Sequence, residues 1–319
     1  MKVADLDVRP ATLDDAAVVA DLETTVHPDD AVDPKLLRHW WSMVSEGVTE
    51  RFVGVRDRAV VAYAYRMHPS WDKIPEHFCR IGTEVRADLR TEERLGALMA
   101  MLEDRSRADD SKKLSIWAWE RDRLRRDVVE ARGYNEIRRQ RFWELDLRAN
   151  HDKLERMTRE SRAQMKKEGI RLLTLAEDRD PARFDKLKRM SDEAEADVPT
   201  TVPFVQIPMD EFMKWFSSPG LRPDRIWIAR EDEDIVGISM LSYPPMRGVV
   251  VTDWTGTARK VRGRGVARAL KCETVMQAIA LGVGRVRTDN DSQNAPILHI
   301  NETMGYHVRA EMVQYLKEI

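Results

Sequence analysis

The sequence predicts an α/β protein with mixed sheets, built as two homologous domains in tandem. Three observations carry this. The chain has 319 residues, which at roughly 150 residues per domain suggests two. Hairpin-forming strands alternate with amphipathic helices. Segments of the two halves match at a constant offset of 172.

That offset is set by Glu130-Ala131-Arg132-Gly133-Tyr134 against Glu302-Thr303-Met304-Gly305-Tyr306. Carried upstream without a gap, it pairs Thr83 with Thr255, Arg90 with Arg262, Ala97 with Ala269 and Leu98 with Leu270. The matches fall at a strand end, a turn-to-helix junction and a helix C-terminus, so they mark a repeated structural unit.

The elements follow in order. Residues 8–12 read as a short strand, and 13–22 as an acidic helix start followed by an amphipathic helix. Residues 52–55 and 59–65, around the charged turn 56–58, read as a hairpin. Residues 148–168 are highly charged and helix-prone, with Leu154, Met157 and Met165 as the apolar positions. The domains are therefore drawn as 1–148 and 169–319, joined by a linking helix at 149–168. In the second half, 226–229 and 235–240 repeat the hairpin around the acidic turn 231–234. A third strand is expected at 249–255, a helix at 267–281, a strand at 285–288 and a last helix at 295–304.

Composition excludes several classes. Lys plus Arg number 53 and Asp plus Glu 55, a net charge of −2, so no overall bias favours nucleic acid or an anionic membrane. The two cysteines, Cys79 and Cys272, argue against a disulfide scaffold and fit a reducing cytosol. Neither belongs to a CxxC pair, and no metal is expected. Residues 1–7 lack an apolar signal core. No apolar run approaches the ~18 residues of a membrane span. A soluble cytoplasmic protein is expected.

The stretch most informative about chemistry is Val261-Arg262-Gly263-Arg264-Gly265-Val266-Ala267-Arg268. It follows a strand and opens a helix. Glycine lets the backbone approach a ligand and take positive φ. The first N–H groups of the helix point outward unsatisfied, and with the helix dipole they make an anion site. On its residues alone the stretch is a phosphate-binding turn or a plain tight connection. It lacks the Gly-Lys-Ser/Thr end of a P-loop and the GxGxxG spacing of dinucleotide folds.

Arg262-x-x-Gly265-x-Ala267 resembles the Gln/Arg-x-x-Gly-x-Gly/Ala signature of the GNAT superfamily of N-acetyltransferases. Residues 290–296 and 300–306, with Asn294 opening a helix that ends at Gly305-Tyr306, resemble that family's next motif. The likeness covers residues 225–310 and extends more weakly to the first half through the repeat. The two-domain layout resembles the tandem branch that includes mycothiol synthase-like proteins. The resemblance implies two domains, each a central, mostly antiparallel sheet flanked by helices. It implies acetyl-CoA as co-substrate. The pyrophosphate would lie on Arg262, Gly263, Arg264, Gly265, Val266 and Ala267, and the pantetheine arm along Thr255, Gly256 and Thr257. Asn294 and Asn301 complete the coenzyme site, with Asn294 as helix N-cap.

The repeat separates a live site from a dead one. Glu93 stands where Gly265 stands, and Leu95 where Ala267 stands. A carboxylate ~4 Å from a phosphate costs on the order of 4 kcal/mol at an effective dielectric of 20. The N-terminal domain is therefore expected not to bind acetyl-CoA.

For catalysis, many family members protonate the departing thiolate with a tyrosine at the position of Asn301. Asparagine can donate a hydrogen bond there but no proton. His299 cannot replace it, because i,i+2 residues do not share a helix face. Asp253 is the candidate base. Strand alternation places it with Thr255 and Thr257, opposite Trp254. The loop 198–209, rich in proline and preceded by Asp192, Glu193, Glu195 and Asp197, is expected to line the acceptor site and attract a cationic amine.

The expected function is direct acetyl transfer from acetyl-CoA to a primary amine of a small molecule, in the C-terminal domain. The alternatives are a catalytically inactive acetyl-CoA-binding sensor or partner protein, and a protein-amine acetyltransferase. The basic concentration at Arg121, Arg123, Arg125, Arg126, Arg138, Arg139 and Arg141 is interrupted by acidic residues, and no nucleic-acid partner is expected. The assembly is expected to be a monomer or homodimer.

Overall fold

The computed structural model describes residues 1–43 and 46–319. Contacts divide the chain into two compact units. The first holds residues 1–140, 245–248 and 310–319, and the second holds residues 141–244 and 249–309.

In the first unit the chain runs β1 (Lys2–Val3), β2 (Leu6–Pro10), α1 (Ala16–Val26), α2 (Pro34–Ser42), β3 (Gly47–Arg56) and β4 (Ala59–Pro69). It continues through β5 (Phe78–Val85), α3 (Glu92–Ala108), β6 (Lys113–Trp119) and α4 (Arg123–Ala131). The sheet order is β1-β2-β3-β4-β5-β6. Neighbours are antiparallel except β5 and β6, which run parallel. Residues from the very end of the chain complete this sheet, pairing antiparallel with β6 from Met312↔Trp119 to Glu318↔Lys113. The core gathers Leu6, Val61, Ala62, Leu95, Leu98, Leu102 and Ile116. Each such leucine contributes ~2 kcal/mol through burial.

Strand β7 (Asn135–Asp146) carries the chain across the unit boundary. The second unit then runs α5 (His151–Lys167), β8 (Ile170–Thr174), α6 (Arg183–Glu195), α7 (Met209–Phe216), β9 (Ile226–Glu231) and β10 (Asp234–Ser242). It ends with β11 (Val250–Thr257), α8 (Val266–Ala280), β12 (Arg285–Asp291), α9 (Ala295–Met304) and the start of β13 (His307–Glu318), whose residues from Ala310 on belong to the first unit. The sheet order is β12-β11-β10-β9-β8, with only the pair β11 and β12 parallel. Helix α5 falls where the linking helix was expected. Its Leu154, Met157 and Met165 are buried in the second unit's cores.

The offset of 172 holds from β5 onward, while the hairpins before it are shifted by a few residues more. Strand β5 maps onto β11 and β6 onto β12 over their whole lengths. Both units are α/β domains of one plan. Among the described residues, no helix is long and apolar enough to cross a membrane. The arginines of the first unit's basic stretch are largely tied to acidic partners. Arg121 meets Asp30 at 2.8 Å, Arg123 meets Asp127 at 3.6 Å, and Arg139 meets Glu120 at 2.6 Å.

Candidate functional site

Strands β11 and β12 pair only at Val250↔Val286 and Val251↔Arg287. Beyond those positions they part. Residues 252–257 of β11 therefore face an opening with one edge unpaired by β12. Backbone N–H and C=O groups there are available to an extended ligand. Gly256 is buried in this stretch. A Cβ at that position would come within 2.9 Å of the Trp254 ring, so only glycine fits beneath the indole.

The strand leads into a turn in which Gly263 and Gly265 hold φ of +76° and +86°. Gly265 is the N-cap of α8 and offers no side chain to the first N–H groups. The helix thus opens onto its own uncapped amides, as an anion site requires. The turn is pinned from behind. Gln164 Nε2 donates to the Arg264 carbonyl at 2.9 Å. The Arg264 guanidinium donates to Glu168 and to Glu231, each at 2.8 Å. Arg264 therefore shapes the turn more than it charges it. Arg262 meets Asp197 at 2.6 Å, and Arg259 donates to both oxygens of Asp197 at 2.7 Å. Glu193 accepts from the Arg259 backbone N–H. The Arg259 and Arg262 guanidiniums hold the Asp197 carboxyl well below the usual carboxylate range.

Asp253 stands at a bulge. Met240 faces Trp254 and Leu241 faces Thr252, so Asp253 has no partner on β10. The strict alternation expected along β11 is interrupted at this residue, and a bulge re-aims the side chain it carries. Trp215 Nε1, from α7, donates to Asp253 Oδ2 at 2.7 Å. Burial pushes the Asp253 carboxyl up to about 6; the Trp215 hydrogen bond opposes this and nearby Asp289 adds to it. Thr255, two residues on, shares a hydrogen bond of 2.9 Å with Ser239.

Asn294 occupies the N-cap position of α9, with Pro296 in the first turn, but its side chain makes no cap hydrogen bond. Asn301 is fully buried. Its Nδ2 donates to Asn290 Oδ1 at 2.7 Å, and its Oδ1 has no partner. Asn301 thus offers an acceptor to an incoming N–H. His299 is exposed.

Three features escaped the sequence reading: the Trp215 partner, the Trp254 N–H and Lys271. Trp215 as the partner of Asp253 could not be found, since 38 residues separate them. Trp254 Nε1 is buried and unpartnered beside Gly256. Lys271 is 2% exposed, and Tyr306 is 5% exposed with its ring 5.1 Å from Lys271 Nζ. Lys271 carried a signal: it interrupts the apolar face of α8 at the place where the repeat has Met99.

The same region of the first unit is filled by its own side chains. Strands β5 and β6 also part, after Arg80↔Ser115. Glu84, the counterpart of Gly256, lies there with His27 at 3.2 Å, Arg90 at 3.0 Å and Arg125 at 2.8 Å. Arg125 also donates to the carbonyl of Thr83, the counterpart of Thr255. Arg90, the counterpart of Arg262, donates to Asp122 at 2.8 Å. Helix α3 starts earlier than α8, capped by Thr91, which accepts from the Arg94 N–H at 3.3 Å. Glu93 lies in its first turn.

No protein-family model and no curated protein matches the chain. Solved structures do. A GCN5-related N-acetyltransferase from Sphaerobacter thermophilus aligns with TM-score 0.66 and 18% identity, over 99% of this chain and 96% of that one. A tandem GNAT protein from the clavulanic acid biosynthesis pathway, solved without AcCoA, aligns with TM-score 0.74 and 16% identity, over 98% of both chains. A GCN5-related N-acetyltransferase from Kribbella flavida aligns with TM-score 0.51 and 12% identity, over 95% of both. The chain has the fold of the GCN5-related N-acetyltransferases, in its tandem two-domain form.

Proposed function

We propose that the protein is an acetyl-CoA-dependent N-acetyltransferase whose second unit acetylates a primary amine of a small molecule. The observation that carries this is one continuous path. The parted edge of β11 leads into the left-handed Gly263–Gly265 turn and the uncapped start of α8, with Asp253 at the bulge. The pyrophosphate would rest on the α8 amides. The pantetheine amides would pair with the free edge of β11 and with Asn301 Oδ1.

A lysine-like amine with pKa ~10.4 arrives protonated and must lose a proton before it attacks. Asp253 is the base in this reading, and a carboxyl raised toward neutrality suits the task. The carboxylate also attracts the cation. The first unit takes no coenzyme, because Glu84, Arg90 and Arg125 occupy the corresponding opening.

The test is calorimetric titration with acetyl-CoA, reading affinity and stoichiometry, followed by an amine panel scored by thiol release. One site per chain is expected, lost in Gly265→Glu. Two sites would refute the assignment of the first unit. No binding by the wild type would move a partner-protein role to the front. Binding of acetyl-CoA with no amine consumed would favour the sensor reading.

A further inference from the structure

Lys271 is a buried cation without a counter-charge. It lies on α8 at 2% exposure, and no ion pair or hydrogen bond reaches its ammonium among the described residues. Its Nζ sits 5.1 Å from the centroid of the Tyr306 ring. Tyr306 is buried too. Its hydroxyl makes no hydrogen bond of normal geometry, although the Thr252 side chain lies beside it. A lone buried ion costs several kcal/mol after relaxation. The first unit avoids that cost with Met99 at the corresponding position. The second unit keeps the charge, in the same unit that keeps the open turn.

The place matters as much as the charge. Thr252 directly follows Val251, the last residue of β11 paired with β12. Lys271 and Tyr306 therefore lie at the point where the strands part. The next step rests on the coenzyme reading above. If the pyrophosphate sits at Gly265, the arm runs back along β11 from Thr257 to Thr252. Five strand residues cover ~17 Å, within the reach of an extended pantetheine arm. The sulfur then arrives at the parting point.

We propose that Lys271 is the acid for the leaving group, its ammonium giving a proton to the coenzyme A sulfur as the thioester bond breaks. The balance is simple. The acceptor nitrogen forms a C–N bond with the acetyl carbonyl carbon. The C–S bond breaks and its electron pair goes to sulfur. Sulfur takes a proton from Lys271 Nζ, leaving a neutral amine. Asp253 has first taken the ammonium proton and passed it to solvent; the one further proton that the nitrogen loses as the amide forms passes to Asp253, and solvent restores Lys271. Asp253 stands on β11 itself, held by Trp215 of α7, whereas Lys271 comes from α8, so uptake and delivery of the proton do not compete.

Burial lowers the Lys271 ammonium to about 8, with Cys272 on the same helix pulling the other way. That lies near the ~8.5 of a thiol, and matched donors transfer protons well. The titratable groups against it are Tyr306, whose hydroxyl burial pushes up, and Cys272, whose thiol burial also pushes up.

The experiment needs no acceptor. Coenzyme A and desulfo-coenzyme A are titrated calorimetrically into wild type, Lys271→Met and Tyr306→Phe at pH ~8, where the thiol is part ionised. Wild type should prefer coenzyme A by about threefold at that pH, the effect of lowering a thiol of ~8.5 by one pKa unit. Lys271→Met should lose that preference while binding desulfo-coenzyme A unchanged, and Tyr306→Phe should keep it. A preference retained in Lys271→Met overturns the proposal. So does a preference lost only in Tyr306→Phe, or absent from the wild type. Failure of the wild type to bind either compound instead overturns the coenzyme reading. Should Lys271→Met misfold by circular dichroism, Lys271→Gln, which keeps a neutral donor, is read in its place.

Discussion

Trp215 donates its indole N–H to Asp253 at 2.7 Å, at the bulge where β10 leaves Asp253 unpaired. This bond fixes the carboxylate and acts against the burial that pushes it up to about 6. A carboxylate fully solvated would be too weak a base for an ammonium. One buried without a donor would be only part ionised at neutral pH. The balance leaves it ionised above pH ~6 and still more basic than an ordinary aspartate.

Replacing Asp253 with asparagine removes the base but keeps an acceptor for Trp215. Turnover of the amine should fall by about 10²–10⁴-fold, the usual weight of a positioned base. Acetyl-CoA affinity should stay within about twofold, since the thermodynamic cost falls on the transition state. The acid limb of the kcat/KM profile near pH 6 should vanish. Unchanged turnover would remove Asp253 from the mechanism.

The same substitution should stabilise the fold. The Asp253 pKa is raised in the folded state from 3.8 to about 6. Its proton therefore favours the folded state at low pH, and that advantage is lost as pH rises from about 4 through 6. Two units correspond to about 3 kcal/mol at most. Thermal melts at about pH 4 and 7.5 should show Asp253→Asn equal to wild type at the first and more stable at the second.

Trp215→Phe isolates the hydrogen bond from the packing. The ring stays against Phe212 and Phe216, whose centroids lie 6.0 and 5.5 Å away. The lost N–H had lowered the Asp253 pKa, so the acid limb should move up by about one pH unit, the size of one charge-assisted bond. A limb that does not move would mean that Trp215 only packs.

What was legible in the sequence shared a period or a turn. The repeat announced itself through Gly133-Tyr134 and Gly305-Tyr306, because a left-handed helix end tolerates little else. Gly265 announced the turn for the same reason, and its φ is +86°. Glu93 against Gly265 foreshadowed the divergence of the two units. The larger obstacle, Glu84 against Gly256, lies within a strand, where no turn residue marks it. The bulge at Asp253 leaves no mark in Thr252-Asp253-Trp254-Thr255. Partners distant in sequence, such as Trp215, exist only once the fold has formed. The last residues of the chain pair with β6, a closure that no local pattern encodes.

Asp197 should compete with the coenzyme. It takes hydrogen bonds from Arg259 and an ion pair from Arg262, the two arginines that flank the turn. A phosphate must share or displace that carboxylate. Asp197→Asn should tighten acetyl-CoA binding by about three- to tenfold at low salt. The gain should shrink as salt rises, since exposed charges are screened. Weaker binding would show instead that Asp197 holds the arginines in register.

The first unit's buried cluster should prove to be a structural replacement for a ligand. Burial alone would raise Glu84, but Arg125, His27 and Arg90 outweigh it and bring it down to about 2. Its contribution to stability is therefore present above pH ~4.5 and lost as pH falls toward 2. Arg125→Met leaves Glu84 short of a counter-charge and strips the donor from the Thr83 carbonyl. Breaking one partner of a buried ion pair costs about 3–5 kcal/mol, enough to lower the melting temperature by several degrees and flatten its acid dependence. Adding Glu84→Gln should recover part of the loss, because the stranded charge is then gone. Coenzyme stoichiometry should stay at one in both variants, since Glu93 and the Thr91 cap still close α3. A second site appearing in either would show that the ion cluster alone had kept the first unit silent.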